Sequence, residues 1–291
     1  MPDAVKLDTP PFQAVRVKVD RYLESMLPPA TTPPQELHAA MRYSVLAGGK
    51  RLRPVLAVSA YYACGGSEEI IYRYAAALEL LHTYSLIHDD LPCMDDDDFR
   101  RGQPTLHKQF SEYIAVLAGD ALHALAFEIL AESGDSRVVI EVGRAIGTQG
   151  MIGGQVADVQ AEGKAVTLAD VEWIHRHKTA ALIAASVKIG ALLAHAPDGV
   201  VGQLTRYGER LGLAFQIVDD ILDIEGDFEA LGKTVGADTR LEKATYPKVV
   251  GLERSRELAA QLIAEAKDML TGFGEKEIFV KLADYILARE Q

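Results

Sequence analysis

Residues 74–98 read YAAALELLHTYSLIHDDLPCMDDDD, an apolar segment of helical period that runs directly into a dense run of acids. Six aspartates fall between positions 89 and 98, and Arg100 and Arg101 follow at once. Like charges this close repel, so a compact segment that holds them is destabilised. A solvated acidic loop is the ordinary meaning of a charge run. The apolar helix that leads into this one places the acids instead at the mouth of something apolar.

Working outward, apolar residues recur at intervals of three and four almost everywhere, and strict alternation over a strand's length is hard to find. The period predicts helices over roughly 11–27, 35–47, 54–64, 68–90, 111–132, 136–156, 168–195, 200–224, 243–270 and 275–289. Segments such as TAALIAASVKIGALLAHA and LTRYGERLGLAFQIVDDILDI are apolar on more than one face, which suits helices at the centre of a bundle. The expected fold is all-α, a single large helical bundle. No linker, repeat or composition break divides residues 1–291, so one domain is expected, with disorder confined to about residues 1–10.

Hydrophobic residues make up 48% of the chain and charged residues 25%, as in a soluble globule with a large core. A net charge of -12 with no basic stripe argues against a nucleic-acid surface, so an anionic ligand must be met by local cations or metals. No apolar run reads as approaching a membrane span, and MPDAVKLDTPPF lacks the features of a signal peptide, so a cytoplasmic protein without stable membrane insertion is expected. The two cysteines, Cys64 and Cys93, are too few for a disulfide framework and are expected to be reduced.

A second acidic cluster, Asp219, Asp220 and Asp223, lies in FQIVDDILDI. Four residues at about 100° each bring Asp223 within about 40° of Asp219, one turn away, and Gln216 joins the same face. In the first cluster an unbroken helix would separate Asp89 and Asp95 by about 120° and put Asp96 nearly in line with Asp89. Pro92 removes a donor and clashes with the preceding turn, so the chain is expected to leave helical geometry there and swing Asp95 back toward Asp89. Whether Asp95 or Asp96 is the closer metal ligand stays open. Two carboxylate clusters, each ending an apolar stretch, suit Mg²⁺, which keeps much of its hydration and is completed by phosphate oxygens.

These residues resemble the trans-isoprenyl diphosphate synthases. DDLPCMD at 89–95 is similar to that family's first aspartate-rich motif and DDILD at 219–223 to its second. GGKRLRP (48–54), FRRGQPT (99–105), GQVADV (154–159), HKTAAL (177–182), LGKTVGAD (231–238) and KATYP (243–247) match further signatures in the family's order. The resemblance spans nearly the whole chain and is greatest to bacterial farnesyl diphosphate synthases (geranyltranstransferases). It implies an isoprenoid-synthase bundle with a deep central cavity, usually a homodimer, that condenses isopentenyl diphosphate head-to-tail with dimethylallyl and geranyl diphosphate. The implied chemistry is ionisation of the allylic diphosphate, attack by the alkene and loss of a proton. The cofactor would be Mg²⁺, three ions with bound diphosphate, with Mn²⁺ as a substitute.

By the same resemblance Asp89, Asp90, Asp95, Asp219 and Asp223 would hold the metals, and Arg100, Lys178 and Lys233 the allylic diphosphate. Lys50, Arg53, His82 and Arg101 would bind isopentenyl diphosphate, while Thr179 and Gln216 would lie along the developing cation. An aromatic residue five positions before the first motif is typical of synthases that stop at fifteen carbons. At about 1.5 Å per residue Tyr84 and Ser85 lie roughly 7.5 and 6 Å below Asp89, so Tyr84 is a candidate floor for the growing chain and small Ser85 leaves room above it. Geranylgeranyl or geranyl diphosphate synthase is the alternative within the family, and a non-catalytic helical cation-binding protein the remote one.

Blander readings stand beside these. Gly48 and Gly49 could end a helix and Pro54 open the next, with Arg51 purely structural. His82 and Tyr84 could be core residues, and Arg100 and Arg101 could merely neutralise neighbouring aspartates. Lys178 is the more informative cation, because in an apolar segment it is costly to bury unless an anion meets it.

Overall fold

The computed structural model describes residues 12–225 and 242–288. Lys233, the 231–238 signature and the N-terminal segment expected to be disordered lie outside the described residues. The remaining chain is a bundle of helices, as the period predicts: α1 (Phe12–Met26), α2 (Gln35–Val45), α3 (Leu52–Ala63), α4 (Ile71–Asp89), α5 (Leu106–Gln109), α6 (Glu112–Ala131) and α7 (Ser136–Ile146). After these come α8 (Met151–Ala161), α9 (Leu168–His175), α10 (Ala181–Leu193), α11 (Asp198–Glu225), α12 (Tyr246–Val250), α13 (Leu252–Met269) and α14 (Glu277–Ala288).

The centre is formed by α3, α4, α10 and α11: α3 packs on α4 and α10, and α10 on α11. Outer helices close the ring, α6 against α4 and α13 against α11. Small residues let the inner helices approach closely; a Cβ on Gly212 would lie 2.6 Å from the Ala180 Cα. Residues all round α3 and α10 are buried, which is why these segments show no single apolar face. Helix starts follow local chemistry: Ser111 accepts from the Ile114 amide at the head of α6, and Thr167 and Asp170 form a reciprocal capping box at the head of α9.

Four features depart from the expected elements. The predicted helix over 136–156 is broken at Gly147–Gly150, where glycines interrupt the period and redirect the chain from α7 to α8. Gly251, at φ 83°, likewise divides the predicted 243–270 segment into α12 and α13. Phe99–Arg100 and Gln103–Pro104 form a two-stranded antiparallel hairpin. Its two loop residues, Arg101 (φ 54°) and Gly102 (φ 74°), are both left-handed, the signature of a tight hairpin turn. Finally, α9 and α10 are joined by a π segment, Arg176–Ala180, which inserts one residue into what the period reads as a continuous helix.

One expectation needs correction. Among the described residues α6 is long and apolar enough, by length and composition, to cross a bilayer. One side of that helix packs against α4, α2 and α7, while Tyr113, Val116 and Leu117 on it stay exposed.

Candidate active site

A cavity of about 1110 Å³ opens between α4, α8, α11 and the π segment. Its walls carry most of the residues that the sequence singles out. Lys50, Arg53, His82, Tyr84, Ser85, Asp89, Asp95, Arg100, Arg101, Lys178, Thr179, Gln216 and Asp219 all line it. Asp90 and Asp223 do not; Asp223, one turn beyond Asp219, is fully buried.

The acidic end is built by the chain break after α4. The Leu91 amide donates to the His88 carbonyl, the Met94 amide to Leu91, and the Asp95 amide to the Asp89 carbonyl at 2.8 Å. The turn is closed by Asp96 at φ 49°. This is the expected swing: Pro92 ends the helix and the following turn returns Asp95 to the backbone of Asp89. Burial raises the Asp89 carboxyl pKa, with Lys178, Arg100 and Lys243 acting against it. Asp90 turns away from the cavity and accepts from Arg100 at 2.5 Å, and Arg100 also reaches Asp97 at 3.2 Å. Burial pushes the Asp90 carboxyl up to about 6. Asp90 is therefore the counter-ion that fixes Arg100 on the cavity wall.

The opposite wall is set by the π segment. Lys178 donates to Asp158 of α8 at 2.6 Å. Thr179 donates to the Gln216 carbonyl oxygen at 2.6 Å, and the Gln216 amide donates to Asp220 at 3.1 Å. Asp220 also accepts from the Tyr246 amide at 3.0 Å, which accounts for its pointing into the protein while Asp219 faces the cavity. Helix α8 touches the π segment directly, since a Cβ on Gly154 would lie 2.2 Å from the Lys178 backbone nitrogen.

At the basic end, Lys50 and Arg53 from the segment before and into α3 meet His82 of α4 and Arg101 of the hairpin. Arg53 is 8% exposed, and its Nε has no hydrogen-bond partner among the described residues. Burial lowers the Arg53 pKa to about 10, opposed by Glu79 and Asp219. Burial and the surrounding arginines hold His82 well below its ordinary pKa, hence neutral. Arg51 is structural, as the local reading allows: it bonds Glu79 at 2.8 Å, Asp20 at 2.9 Å and the Val45 carbonyl at 2.9 Å.

Three participants escape the sequence reading. Glu79 is a lone acid in an apolar run, and Asp158 a lone acid in GQVADV; the burial cost applied to Lys178 would have flagged both. Lys243 reaches Asp95 from 148 residues away, with its Nζ 2.9 and 3.0 Å from the two carboxylate oxygens, and no local pattern announces such a pair.

Among the described residues no three acidic, histidine or cysteine side chains gather into a ready-made metal cage. The donor set is nonetheless hard oxygen only, with Asp89, Asp95 and Asp219 facing one cavity and the half-buried Asp89 carboxyl pKa raised by its loss of solvent. That fits Mg²⁺, which binds through a few carboxylates and is completed by water and substrate phosphates.

Comparison with known proteins places this arrangement. Residues 34–276 match the polyprenyl synthetase family. A chloroplastic geranylgeranyl pyrophosphate synthase of Capsicum annuum is 50% identical over 267 residues, 88% of this chain and 72% of that protein. The structure of an FPP/GFPP synthase from Zymomonas mobilis superposes with a TM-score of 0.83 at 37% identity, covering 94% of this chain and 96% of that one. A geranyltransferase from Helicobacter pylori, solved with magnesium and isoprenyl diphosphate, gives 0.79 at 33% identity, covering 98% and 97%. The chain is a prenyltransferase and belongs to the polyprenyl synthetase family.

Proposed function

We propose that this chain joins isopentenyl diphosphate head-to-tail to an allylic diphosphate, giving a prenyl diphosphate five carbons longer. The observation that carries this reading is the division of one cavity into two unlike ends, an acidic one at Asp89, Asp95 and Asp219 and a cationic one at Lys50, Arg53 and Arg101. A diphosphate at the cationic end is met by side chains alone; guanidinium forks suit it. A diphosphate at the acidic end needs a divalent bridge, and Lys178 and Arg100 stand beside it to take up charge as the leaving group departs. Mg²⁺ bound there by Asp89, Asp95 and Asp219 would supply the Lewis acidity that makes diphosphate a workable leaving group. Thr179 and Gln216, bonded to each other at 2.6 Å, line the same cavity, and its apolar walls would keep water from the reacting carbons.

For chain length, the name of the Capsicum relative supports a twenty-carbon product, geranylgeranyl diphosphate. A fifteen-carbon product is the second reading, carried by Tyr84 in the cavity wall, where His88 and His123 pack edge-on against its ring at 5.8 and 5.0 Å. A cytoplasmic homodimer completes the proposal.

The distinguishing experiment is calorimetric titration with pyrophosphate with and without Mg²⁺. A synthase binds the two cooperatively. A plain cation-binding protein takes up Mg²⁺ with an affinity that pyrophosphate does not change.

A further inference from the structure

Glu79 sits nearly three turns before Asp89 on α4 and is 1% exposed. An acid buried so deeply must earn its place by pairing, because an uncompensated carboxylate in the interior is strongly disfavoured. Its Oε1 accepts from Arg51 Nη1 at 2.8 Å and from Arg101 Nη2 at 3.4 Å. Arg53 and Arg101 both feel its charge, and in each it is the largest influence opposing burial. Arg51 spends its guanidinium on Glu79, Asp20 and the Val45 carbonyl, which leaves it a brace. Arg101 is carried on the left-handed hairpin turn and packed against Gly49, where a Cβ would lie 3.0 Å from its guanidinium carbon. Three separate pieces of chain, the segment into α3, α4 and the hairpin, therefore meet on one carboxylate.

We infer that Glu79 is the positioning residue of the metal-free diphosphate site, the buried anion that ties Arg51 and Arg101 together beside Arg53 and keeps Arg101 aimed into the cavity. The inference rests on the reading that this end receives isopentenyl diphosphate. Two effects of Glu79 oppose each other: its charge repels an incoming diphosphate, and its bonds hold the arginines in register for it. Orientation wins, because Arg51 and Arg101 both bond the one buried carboxylate, at 2.8 and 3.4 Å, whereas the added repulsion is already neutralised by Arg51.

The test is calorimetric titration of isopentenyl diphosphate into the full chain in EDTA, with steady-state kinetics in Mg²⁺ alongside. Glu79→Gln should weaken metal-free binding at least about tenfold and raise the KM for isopentenyl diphosphate to match, with the allylic KM within about twofold of wild type. Glu79→Asp keeps the charge and shortens the reach by one methylene, so it should fall between Gln and wild type, and it carries the test if Glu79→Gln does not fold. Binding by either folded variant as tight as wild type, or tighter, overturns the inference and leaves the reading of the site standing. A wild type that binds no isopentenyl diphosphate in EDTA overturns that reading and this inference with it.

Discussion

Gly154→Ala puts a close backbone contact of the site under load. The added Cβ would stand 2.2 Å from the Lys178 nitrogen, 2.7 Å from its Cα and 2.8 Å from the His177 carbonyl carbon. All three are backbone atoms, so no side chain can rotate aside. Ordinary contact begins near 3.4 Å, so α8 and the π segment must part by 3.4 − 2.2 = 1.2 Å. That movement would stretch the 2.6 Å Lys178–Asp158 bond out of hydrogen-bonding range and pull Thr179 away from its 2.6 Å bond to Gln216. A shift of about 1 Å in positioning groups costs on the order of 100-fold in kcat/KM, or about 2.7 kcal/mol of transition-state stabilisation. Overpacking adds a stability loss of about 1–3 kcal/mol. Gly143→Ala in α7 is the control: a Cβ there meets nothing within 4 Å, so activity should hold and stability rise by roughly 0.5–1 kcal/mol. Steady-state kinetics and thermal melting of both variants decide the matter. A folded Gly154→Ala enzyme with near wild-type kcat/KM would refute the claim that α8 sets the position of Lys178.

Tyr84→Ala should lengthen the product by at least one five-carbon unit while ionisation continues; an unchanged product from an active variant, read by chromatography, would place the floor elsewhere. Asp89→Ala and Asp219→Ala should each abolish turnover and leave the helical circular dichroism intact, because each removes a cavity-facing carboxylate; near wild-type turnover in either would remove that residue from the metal site. His175 provides a pH test. Burial lowers its pKa from 6.5 to about 3, so between those values the unfolded chain holds a proton that the folded chain does not. The stability of the neutral ring is full above pH 6.5 and is lost as pH falls toward 3, at up to about 1.4 kcal/mol per pH unit. His175→Gln should flatten the acid limb of the melting curve, and a limb as steep as wild type would show that His175 does not set it.

The legible parts of this protein are those written in short-range pattern. Pro92 after Asp89 predicts the turn that returns Asp95, and helical spacing puts Gln216, Asp219 and Asp223 on one face, of which Gln216 and Asp219 line the cavity while Asp223 is fully buried. The burial argument at Lys178 was correct about the need for an anion, yet the chain itself supplies one in Asp158, twenty residues earlier. Asp90 read as a metal-supporting acid by sequence position; in the fold it serves Arg100. The hairpin at 99–104 and the π segment at 176–180 escaped because each is a local exception to a period that holds on both sides. Lys243 on Asp95 and Glu79 under Arg51 and Arg101 are tertiary pairings, set by which helices pack together and therefore invisible to spacing.

The most direct measurement incubates the purified chain with labelled isopentenyl diphosphate, each allylic diphosphate in turn and Mg²⁺, and separates the products by chain length. The account predicts that label enters longer all-trans prenyl diphosphates only when primer and metal are both present, and that Asp89→Ala and Arg53→Ala each stop it. A folded chain that binds Mg²⁺ and pyrophosphate yet incorporates no label with any primer would contradict it.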